Sequence, residues 1–333
     1  MQNPGDPRLR GDDAWGGDDG GAGMTDIVIT EFMDEAAVVR LSARFRIHYD
    51  PELADRPELL AGFAAEARAL IVRNRTQVRG AMLAGAGRLA CIGRLGVGLD
   101  NIDMEACAAR GIAVYPAVGA NALAVAEYVV ASILMLFRGA YGASGEMVAG
   151  GWPREALVGR ETAGKVLGLI GFGPIGRETA RLGAAMGMRV VAHDPFLALA
   201  DPAWDLARPL SLSELLARAD AVSLHLPLTP DTSHLIGPAQ IALMKPGAVL
   251  VNAARGGVLD EAALAEGLRS GRLSGAALDV FETEPLTAEA GARFAGLANL
   301  ILTPHIAGLT EQSNARVGAM VAERVIAHLE GLE

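Results

Sequence analysis

Short apolar runs suited to buried strands alternate with helix-like runs along most of the sequence. In the first part these strand-like runs are "DIVIT", "RIHYD", "ALIV", "LACIG" and "IAVY". A long helix-like stretch from Asn121 to about Val148 follows, and the alternation then continues with "KVLGLIG", "RVVAHD", "AVSLHLP", "AVLVNAA", "GAALDV" and "LILTPHI". Such alternation is typical of βαβ units around a mostly parallel sheet. We therefore predict an α/β protein with two parallel-sheet domains.

Composition narrows the possible partners and compartments. The 333 residues carry 29 basic and 39 acidic side chains, which gives a net charge of −10. The sequence contains no basic block long enough to follow a phosphate backbone, which disfavours nucleic acid as a partner. Cys91 and Cys107 lack the spacing of a disulfide framework or a metal site, so we expect no metal and a reducing, cytoplasmic setting.

Two segments bear on targeting. The first 23 residues are rich in Gly and Asp and lack the apolar stretch of a signal peptide, so we interpret them as a disordered tail before a fold that starts at Met24. The most apolar segment, Tyr128 to Phe137, is too short to span a bilayer, and we expect no membrane partner. A buried or dimer-forming helix is the better interpretation of that segment.

A glycine-rich turn follows the strand-like run "KVLGLI". Gly171, Gly173 and Gly176 form a GxGxxG pattern, and Asp194 ends the next strand-like run 18 residues after Gly176. In a strand–turn–helix context this pattern predicts a dinucleotide site, because glycines admit the pyrophosphate and the helix N-terminus attracts its charge. A carboxylate at Asp194 would bind ribose hydroxyls and repel a 2′-phosphate, which favours NAD. The alternative is a tight turn that binds nothing.

One residue of this turn departs from what phosphate binding needs. Pro174 has no N–H to donate, although proline suits the first turn of a helix. We therefore expect Ile175 to carry more of the phosphate contact.

Three charged or titratable residues follow strand-like runs in the second half. They are Arg255 in "VLVNAARGG", Glu284 in "AALDVFETEPL" and His305 in "LILTPHIAG". Ligands of open α/β sheets bind outside the carboxyl ends of the strands, so these residues can converge on one site. Taken singly, each has an ordinary alternative: a surface ion pair, a solvated loop residue or a structural histidine.

From about Asp26 to the end, the sequence resembles the D-isomer-specific 2-hydroxyacid dehydrogenases. The resemblance rests on seven segments: "GRLGVGLDNID", "NALAVAEYVV", "GKVLGLIGFGPIG", "AVSLHLPLTPDTSHLI", "LMKPGAVLVNAARGGVLDEAALAEGL", "GAALDVFETEPL" and "LTPHIAG". It implies an NAD-binding Rossmann domain over 121–307 and a flavodoxin-like substrate domain over 24–120 and 308–333. Both are doubly wound, and the family's active site lies in the cleft between them.

The resemblance also assigns catalytic roles. Arg255, Glu284 and His305 occupy the family's catalytic positions. His305 would supply the proton for the developing alkoxide, and Glu284 would pair with the imidazole. Arg255 would bind the substrate carboxylate and stabilise charge on the carbonyl oxygen. The positions of Ala253, Ala254 and Asp279 contact the cofactor in this family, with Asp279 near the nicotinamide.

In the first domain the resemblance places substrate contacts on a loop and at a helix start. The loop Gly96, Val97 and Gly98 matches the family's carboxylate-binding loop, and Asn121 matches a substrate-side polar position. Their alternatives are a plain turn and a helix cap. The long helix and "GGWPREALVGRETAGK" resemble the family's dimerisation segment, which implies a homodimer.

The basic run "RNRTQVR" at 73–79 bears on the substrate. The family uses the first part of this loop, here Arg73 and Asn74, to contact the substrate tail. If Arg73, Arg75 and Arg79 face the site, the small 2-hydroxy or 2-keto acid carries a second anionic group, as sulfopyruvate and phosphohydroxypyruvate do. A solvated basic turn is the alternative.

Within the family, "DIVITEFMDEAAV", "YDPELADRPELL" and "ALIVRNRTQV" are most similar to bacterial sulfolactate dehydrogenases, which favours (S)-sulfolactate as the substrate. The other activities that fit are those of a 3-phosphoglycerate dehydrogenase and of a glyoxylate or hydroxypyruvate reductase. An NAD-sensing corepressor is a more distant alternative, because such proteins share the fold.

Overall fold

The computed structural model describes residues 25–331, so the predicted tail over residues 1–23 and the predicted start at Met24 lie outside the described residues. The chain divides into two compact units. The first comprises the residues up to Ala120 together with those from Asn314 onward, and the second comprises Asn121–Ser313.

Strands and helices alternate through both units, as the sequence pattern predicts. The strands are β1 (Ile27–Ile29), β2 (Ile47–Tyr49), β3 (Ala69–Val72), β4 (Cys91–Arg94), β5 (Ala113–Pro116), β6 (Val166–Ile170), β7 (Arg189–His193), β8 (Arg208–Pro209), β9 (Ala221–Leu224), β10 (Ala248–Asn252), β11 (Leu273–Leu278) and β12 (Leu300–Leu302). The α-helices are α1 (Glu35–Ser42), α2 (Pro57–Glu66), α3 (Gly80–Gly85), α4 (Met104–Ala109), α5 (Ala122–Arg138), α6 (Ser144–Val148), α7 (Pro174–Ala185), α8 (Leu212–Arg218), α9 (Pro238–Leu243), α10 (Glu261–Arg269), α11 (Ala288–Gly291) and α12 (Glu311–Leu329). Short 3₁₀ turns occupy Leu53–Asp55, Tyr141–Ala143, Pro202–Leu206 and Ala292–Phe294.

The first unit contains a parallel sheet of order β2-β1-β3-β4-β5. This is the strand order of flavodoxin-like folds. The closing helix α12 contributes Val317, Val321 and Val325 to the same core as Ile27 and Ile71. The last helix therefore packs on the sheet of the first unit.

The second unit contains a parallel sheet of order β12-β11-β10-β9-β6-β7-β8. Beginning at β6, the chain winds first towards β8 and then returns to the other side of β6 through β9. The strand order therefore reverses between β6 and β9, as it does in dinucleotide-binding Rossmann folds. The predicted fold class, two doubly wound parallel-sheet domains, is confirmed.

The helix predicted from Asn121 to about Val148 is wrong in its second half. Helix α5 ends at Arg138 because Gly139 takes the left-handed conformation, with φ 62°, and closes the helix. The chain continues as a 3₁₀ turn and the short α6, bent by 71° from α5. Within the described residues no single helix is long and apolar enough to cross a membrane. Together, α5 and residues 141–148 have the necessary length and apolar composition, but they are bent with respect to each other.

The strand predicted over "LILTPHI" is also too long. Regular pairing ends at Leu302, and the residues that follow form a tight turn in which His305 has a φ of 56°. A β-strand cannot include that backbone conformation, so the strand stops where the turn begins.

Candidate active site

The GxGxxG segment forms a tight turn between β6 and α7. A Cβ atom at Gly171, where φ is 89°, would lie 2.3 Å from the carbonyl oxygen of His225, and one at Gly176 would lie 2.6 Å from that of Gly171. By contrast, a Cβ at Gly173 would meet nothing within 4 Å. The loop thus packs tightly against the protein on one side and leaves its backbone open at Gly173.

Pro174 is the first residue of α7, in the position that proline prefers. The N–H groups of the next residues in the first helical turn have no partner within the helix and point along its axis. Because Pro174 contributes no donor, Ile175 is the first helical residue that can donate to an anion at this end. The helix N-terminus and the open Gly173 fit a dinucleotide pyrophosphate.

Asp194 follows β7 and lies beside this loop. Its carboxylate accepts the N–H of Phe172 at 2.9 Å and the N–H of Phe196 at 3.0 Å. A carboxylate has about four acceptor positions, so two remain for ribose hydroxyls. The backbone bonds fix the carboxylate next to the phosphate loop, which is where a ribose-binding acid is needed.

Asn252 shapes the turn that carries Arg255. Its buried amide donates to the carbonyl of Arg255 at 2.9 Å and accepts the N–H of Ala254 at 3.1 Å. Ala253 and Ala254, the predicted cofactor contacts, are half-buried in this turn. Asn252 was not among the residues predicted from the sequence, although its place as the polar residue that ends the apolar run "AVLVN" could have indicated it.

The Arg255 turn packs directly on the segment that leads to Glu284. A Cβ at Gly256 would lie 1.7 Å from the carbonyl oxygen of Phe281, so the two backbones touch and only glycine fits. The N–H of Phe281 donates to the Glu284 carboxylate at 3.0 Å. Arg255 and Glu284 are thereby brought to the same edge of the sheet.

Glu284 and His305 are hydrogen-bonded, with 2.7 Å between Oε2 and Nδ1. Burial acts to raise the pKa of Glu284, but the hydrogen bond and charge of His305, the Phe281 N–H and the charge of Arg255 together hold that pKa below its ordinary value. An ionised carboxylate only accepts, so Nδ1 of His305 carries the proton that is shared with Glu284. The opposite nitrogen, Nε2, is then available to exchange a proton with a ligand.

Asp279 holds the turn on which His305 sits. Its backbone carbonyl accepts the N–H of His305 at 2.8 Å, and its carboxylate accepts the N–H groups of Ile306 and Ala307, each at 2.8 Å. Thr303 donates to the same carboxylate at 2.6 Å. These four bonds support a left-handed His305 backbone, which costs on the order of 1–2 kcal/mol for a residue other than glycine.

Asn121 precedes α5 and lies near the same turn. Its side chain makes no capping hydrogen bond, and its Nδ2 would lie 2.8 Å from a Cβ placed on Gly308. The Oδ1 atom is buried and has no hydrogen-bond partner among the described residues. The structure thus brings Asn121 close to the His305 turn and leaves a buried acceptor there.

In the first unit, buried Glu31 organises the basic loop. Its carboxylate accepts the backbone N–H groups of Arg73, Arg75 and Thr76 at 2.9 to 3.1 Å, and the Thr76 hydroxyl at 2.8 Å. Asn74 between them is exposed. Glu31, absent from the sequence prediction, thereby fixes the backbone of the whole loop.

The three arginines of this loop differ in their contacts. Half-buried Arg73 donates to Asn314 Oδ1 at 2.6 Å and to the carbonyl of Leu95 at 3.4 Å. Arg75 pairs with Asp55 at 2.5 Å, and Arg79 donates to the carbonyl of Asp100. Arg73 is therefore held at Leu95, the residue that directly precedes the loop at 96–98.

The loop at 96–98 packs against the side chain of Arg94, which is only 8% exposed. Arg94 Nε donates to the carbonyl of Gly98 at 2.8 Å, and a Cβ on Gly96 would lie 2.2 Å from its guanidinium. Val97 at the tip is exposed. A buried positive charge beneath a glycine-rich loop attracts a carboxylate to that loop. Arg94 was not among the residues predicted from the sequence.

Comparison with known proteins shows which family the chain resembles. The model of the D-isomer specific 2-hydroxyacid dehydrogenase NAD-binding domain matches residues 130–307. The chain is 52% identical over 303 residues to an (S)-sulfolactate dehydrogenase of Chromohalobacter salexigens, covering 91% of this chain and 97% of that protein. It is 40% identical to a D-3-phosphoglycerate dehydrogenase of Mycobacterium leprae, covering 92% of this chain but 57% of that longer protein.

A solved structure gives the same picture at the level of the fold. The D-lactate dehydrogenase of Aquifex aeolicus, in complex with NAD and lactic acid, superposes with a TM-score of 0.81 and 29% identity, over 92% of this chain and 96% of the other. NAD-dependent chemistry on 2-hydroxy acids fits the phosphate loop with Asp194 beside it and the arrangement of Arg255, Glu284 and His305. This chain belongs to the D-isomer-specific 2-hydroxyacid dehydrogenase family and is an NAD-dependent oxidoreductase.

Proposed function

We propose that the chain interconverts (S)-sulfolactate and sulfopyruvate with NAD as the cofactor. The observation that carries this proposal is Arg73, held half-buried by Asn314 and Leu95 beside the Gly96–Gly98 loop. A guanidinium in this position can bind a second anionic group at the end of a short 2-keto acid. The 52% identical sulfolactate dehydrogenase supports the same substrate.

The surroundings of Arg73 favour a sulfonate over a phosphate. The neighbouring Arg75 is paired with Asp55, and the buried carboxylate of Glu31 lies beneath the loop. One guanidinium with a carboxylate nearby balances a singly charged sulfonate better than a phosphate near its second ionisation. Phosphohydroxypyruvate is therefore the second candidate, and hydroxypyruvate and glyoxylate, which lack the second anion, are weaker ones.

We assign the chemical roles to the second unit. A bound NADH supplies the hydride. Arg255 binds the carboxylate and stabilises negative charge on the carbonyl oxygen, and His305 donates the proton to that oxygen while Glu284 holds the imidazole. Ala253, Ala254 and Asp279 complete the cofactor contacts. In the first unit, Gly96, Val97 and Gly98 contribute backbone N–H groups to the substrate carboxylate.

The test is kcat/KM for NADH oxidation with sulfopyruvate, phosphohydroxypyruvate, hydroxypyruvate and glyoxylate, in the wild type and in Arg73→Ala. We expect sulfopyruvate to be preferred, and Arg73→Ala to lower its kcat/KM by roughly 10- to 100-fold, the value of a hydrogen-bonded ion pair. Glyoxylate turnover should barely change. Arg75→Ala, a substitution in the same loop, is the matched control. If Arg73→Ala lowered kcat/KM equally for sulfopyruvate and for glyoxylate, the proposal would be contradicted.

We further propose a homodimer, in line with the family resemblance. Apolar side chains concentrate on the surface between residues 141 and 158, where Trp152 is 75% exposed and Val158 82% exposed. Such surfaces usually mark an interface. Light scattering should give twice the chain mass, and Trp152→Lys combined with Val158→Asp should give monomers; a wild-type monomer at micromolar concentration would refute the dimer. We also propose a cytoplasmic location, because the sequence contains only two cysteines, Cys91 and Cys107, without the spacing of a disulfide framework.

A further inference from the structure

A chain of hydrogen bonds connects α5 to the turn that carries His305. The Tyr128 hydroxyl lies 2.6 Å from Oγ1 of Thr303, and Thr303 donates to Oδ1 of Asp279 at 2.6 Å. The same Oδ1 accepts the N–H of Ile306, and Oδ2 accepts the N–H of Ala307. Tyr128 is thereby linked through two side chains to the residues next to His305.

The donors in this chain can point in only one direction. The Asp279 carboxylate accepts two backbone N–H groups, so the single hydroxyl hydrogen of Thr303 goes to Asp279. The oxygen of Thr303 is then an acceptor, and Tyr128 must donate to it. Burial raises the pKa of Tyr128, so the phenol stays protonated and keeps this donor role.

We propose that Tyr128 is a positioning residue for His305. Its O–H bond fixes the Thr303 hydroxyl on Asp279, and Asp279 in turn holds the left-handed turn that aims the imidazole at Glu284 and the substrate. The inference rests on the proposed function, because it gives His305 the task of proton transfer. It goes beyond that function by extending the active site to a residue on α5 that precedes Thr303 by 175 positions in sequence.

The packing of Tyr128 makes this role specific. Its ring packs against the apolar core that contains Val125, Val129 and Ala307. This packing holds the hydroxyl at Thr303. Buried Ser132, one turn further along α5, lies near the phenol and acts to lower its pKa, against the larger effect of burial. Phenylalanine at position 128 would preserve the apolar packing and remove only the donor.

The experiment compares Tyr128→Phe with wild type and with Tyr115→Phe, a control in the first unit whose phenol bonds His328 at 3.0 Å. We expect Tyr128→Phe to lower kcat roughly 3- to 10-fold, as loss of one hydrogen bond would. KM, NADH affinity and melting temperature should stay close to wild type, and Tyr115→Phe should keep the wild-type kcat. An unchanged kcat in Tyr128→Phe, or a loss of melting temperature that accounts for the loss of kcat, would overturn the proposal.

Two further measurements test the route through Thr303. Adding Tyr128→Phe to Thr303→Val should cost nothing more, while Thr303→Ser should lose much less than Thr303→Val. In the cofactor-free protein, the imidazole Nδ1–H resonance of His305, identified by its loss in His305→Asn, should shift or broaden in Tyr128→Phe. An unmoved resonance, or additive effects of the two substitutions, would overturn the proposal, and the resonance tests it even if sulfopyruvate is not the substrate.

Discussion

Replacing His305 by asparagine is expected to lower kcat for keto-acid reduction by roughly 10²- to 10⁴-fold, the usual contribution of a general acid. NADH affinity should remain near the wild-type value, since the phosphate loop and Asp194 lie on β6 and β7, away from β12 in the same sheet. Asparagine also tolerates the left-handed backbone that His305 adopts, so the turn should survive the substitution. The loss can then be assigned to the imidazole.

Glu284→Gln provides the comparison for this substitution. Glutamine keeps the shape of the side chain but removes the negative charge that faces His305 at 2.7 Å. Because this charge favours the protonated imidazole, the rate of keto-acid reduction should decline with rising pH at a lower pH in Glu284→Gln than in wild type. The lowered pKa of Glu284 keeps its carboxylate ionised at neutral pH, where this charge is needed. Steady-state rates across pH, with NADH titrations followed by fluorescence, would measure both effects. A His305→Asn protein that retains a tenth of wild-type kcat would rule out His305 as the proton donor.

The sequence predicted the residues at strand ends because the rule behind them is local. Arg255 comes after β10, Glu284 after β11 and His305 after β12, and the carboxyl ends of parallel strands meet at one edge. Gly171 and Asp194 were found in the same way, from apolar runs that stop at a glycine or a carboxylate. Neither prediction required knowledge of side-chain contacts.

The supporting contacts could not be predicted in this way, because they join residues far apart in sequence. Tyr128 reaches Thr303 across 175 positions, and the Arg73 backbone meets Glu31 across 42. Apolar periodicity also missed the helix end at Gly139, since apolar side chains such as Tyr141, Met147 and Val148 recur beyond it although the backbone turns left-handed. The pairing of Arg75 with Asp55 likewise shows why counting the arginines of a loop overstates the charge it offers a ligand.

Arg255→Lys is expected to lower kcat/KM by roughly 10²- to 10³-fold, although the positive charge is retained. Two features of a guanidinium explain the size of the loss. Its planar fork can bind a carboxylate and still direct an N–H at the carbonyl oxygen, and here Nη1 also donates to the carbonyl of Ala254 at 2.6 Å. A lysine ammonium is a point charge on a flexible chain and cannot satisfy these acceptors together.

The substrate dependence of this loss separates Arg255 from Arg73. Because Arg255 is assigned to the carboxylate and carbonyl that every 2-keto acid has, Arg255→Lys should impair glyoxylate and sulfopyruvate reduction alike. Arg73→Ala should impair the reduction of sulfopyruvate and leave that of glyoxylate unchanged. Arg269→Lys, on an exposed arginine of α10 in the same unit, is the control for a general effect of the exchange. If Arg255→Lys reduced only sulfopyruvate turnover, the assignment would reverse, and Arg255 rather than Arg73 would hold the sulfonate.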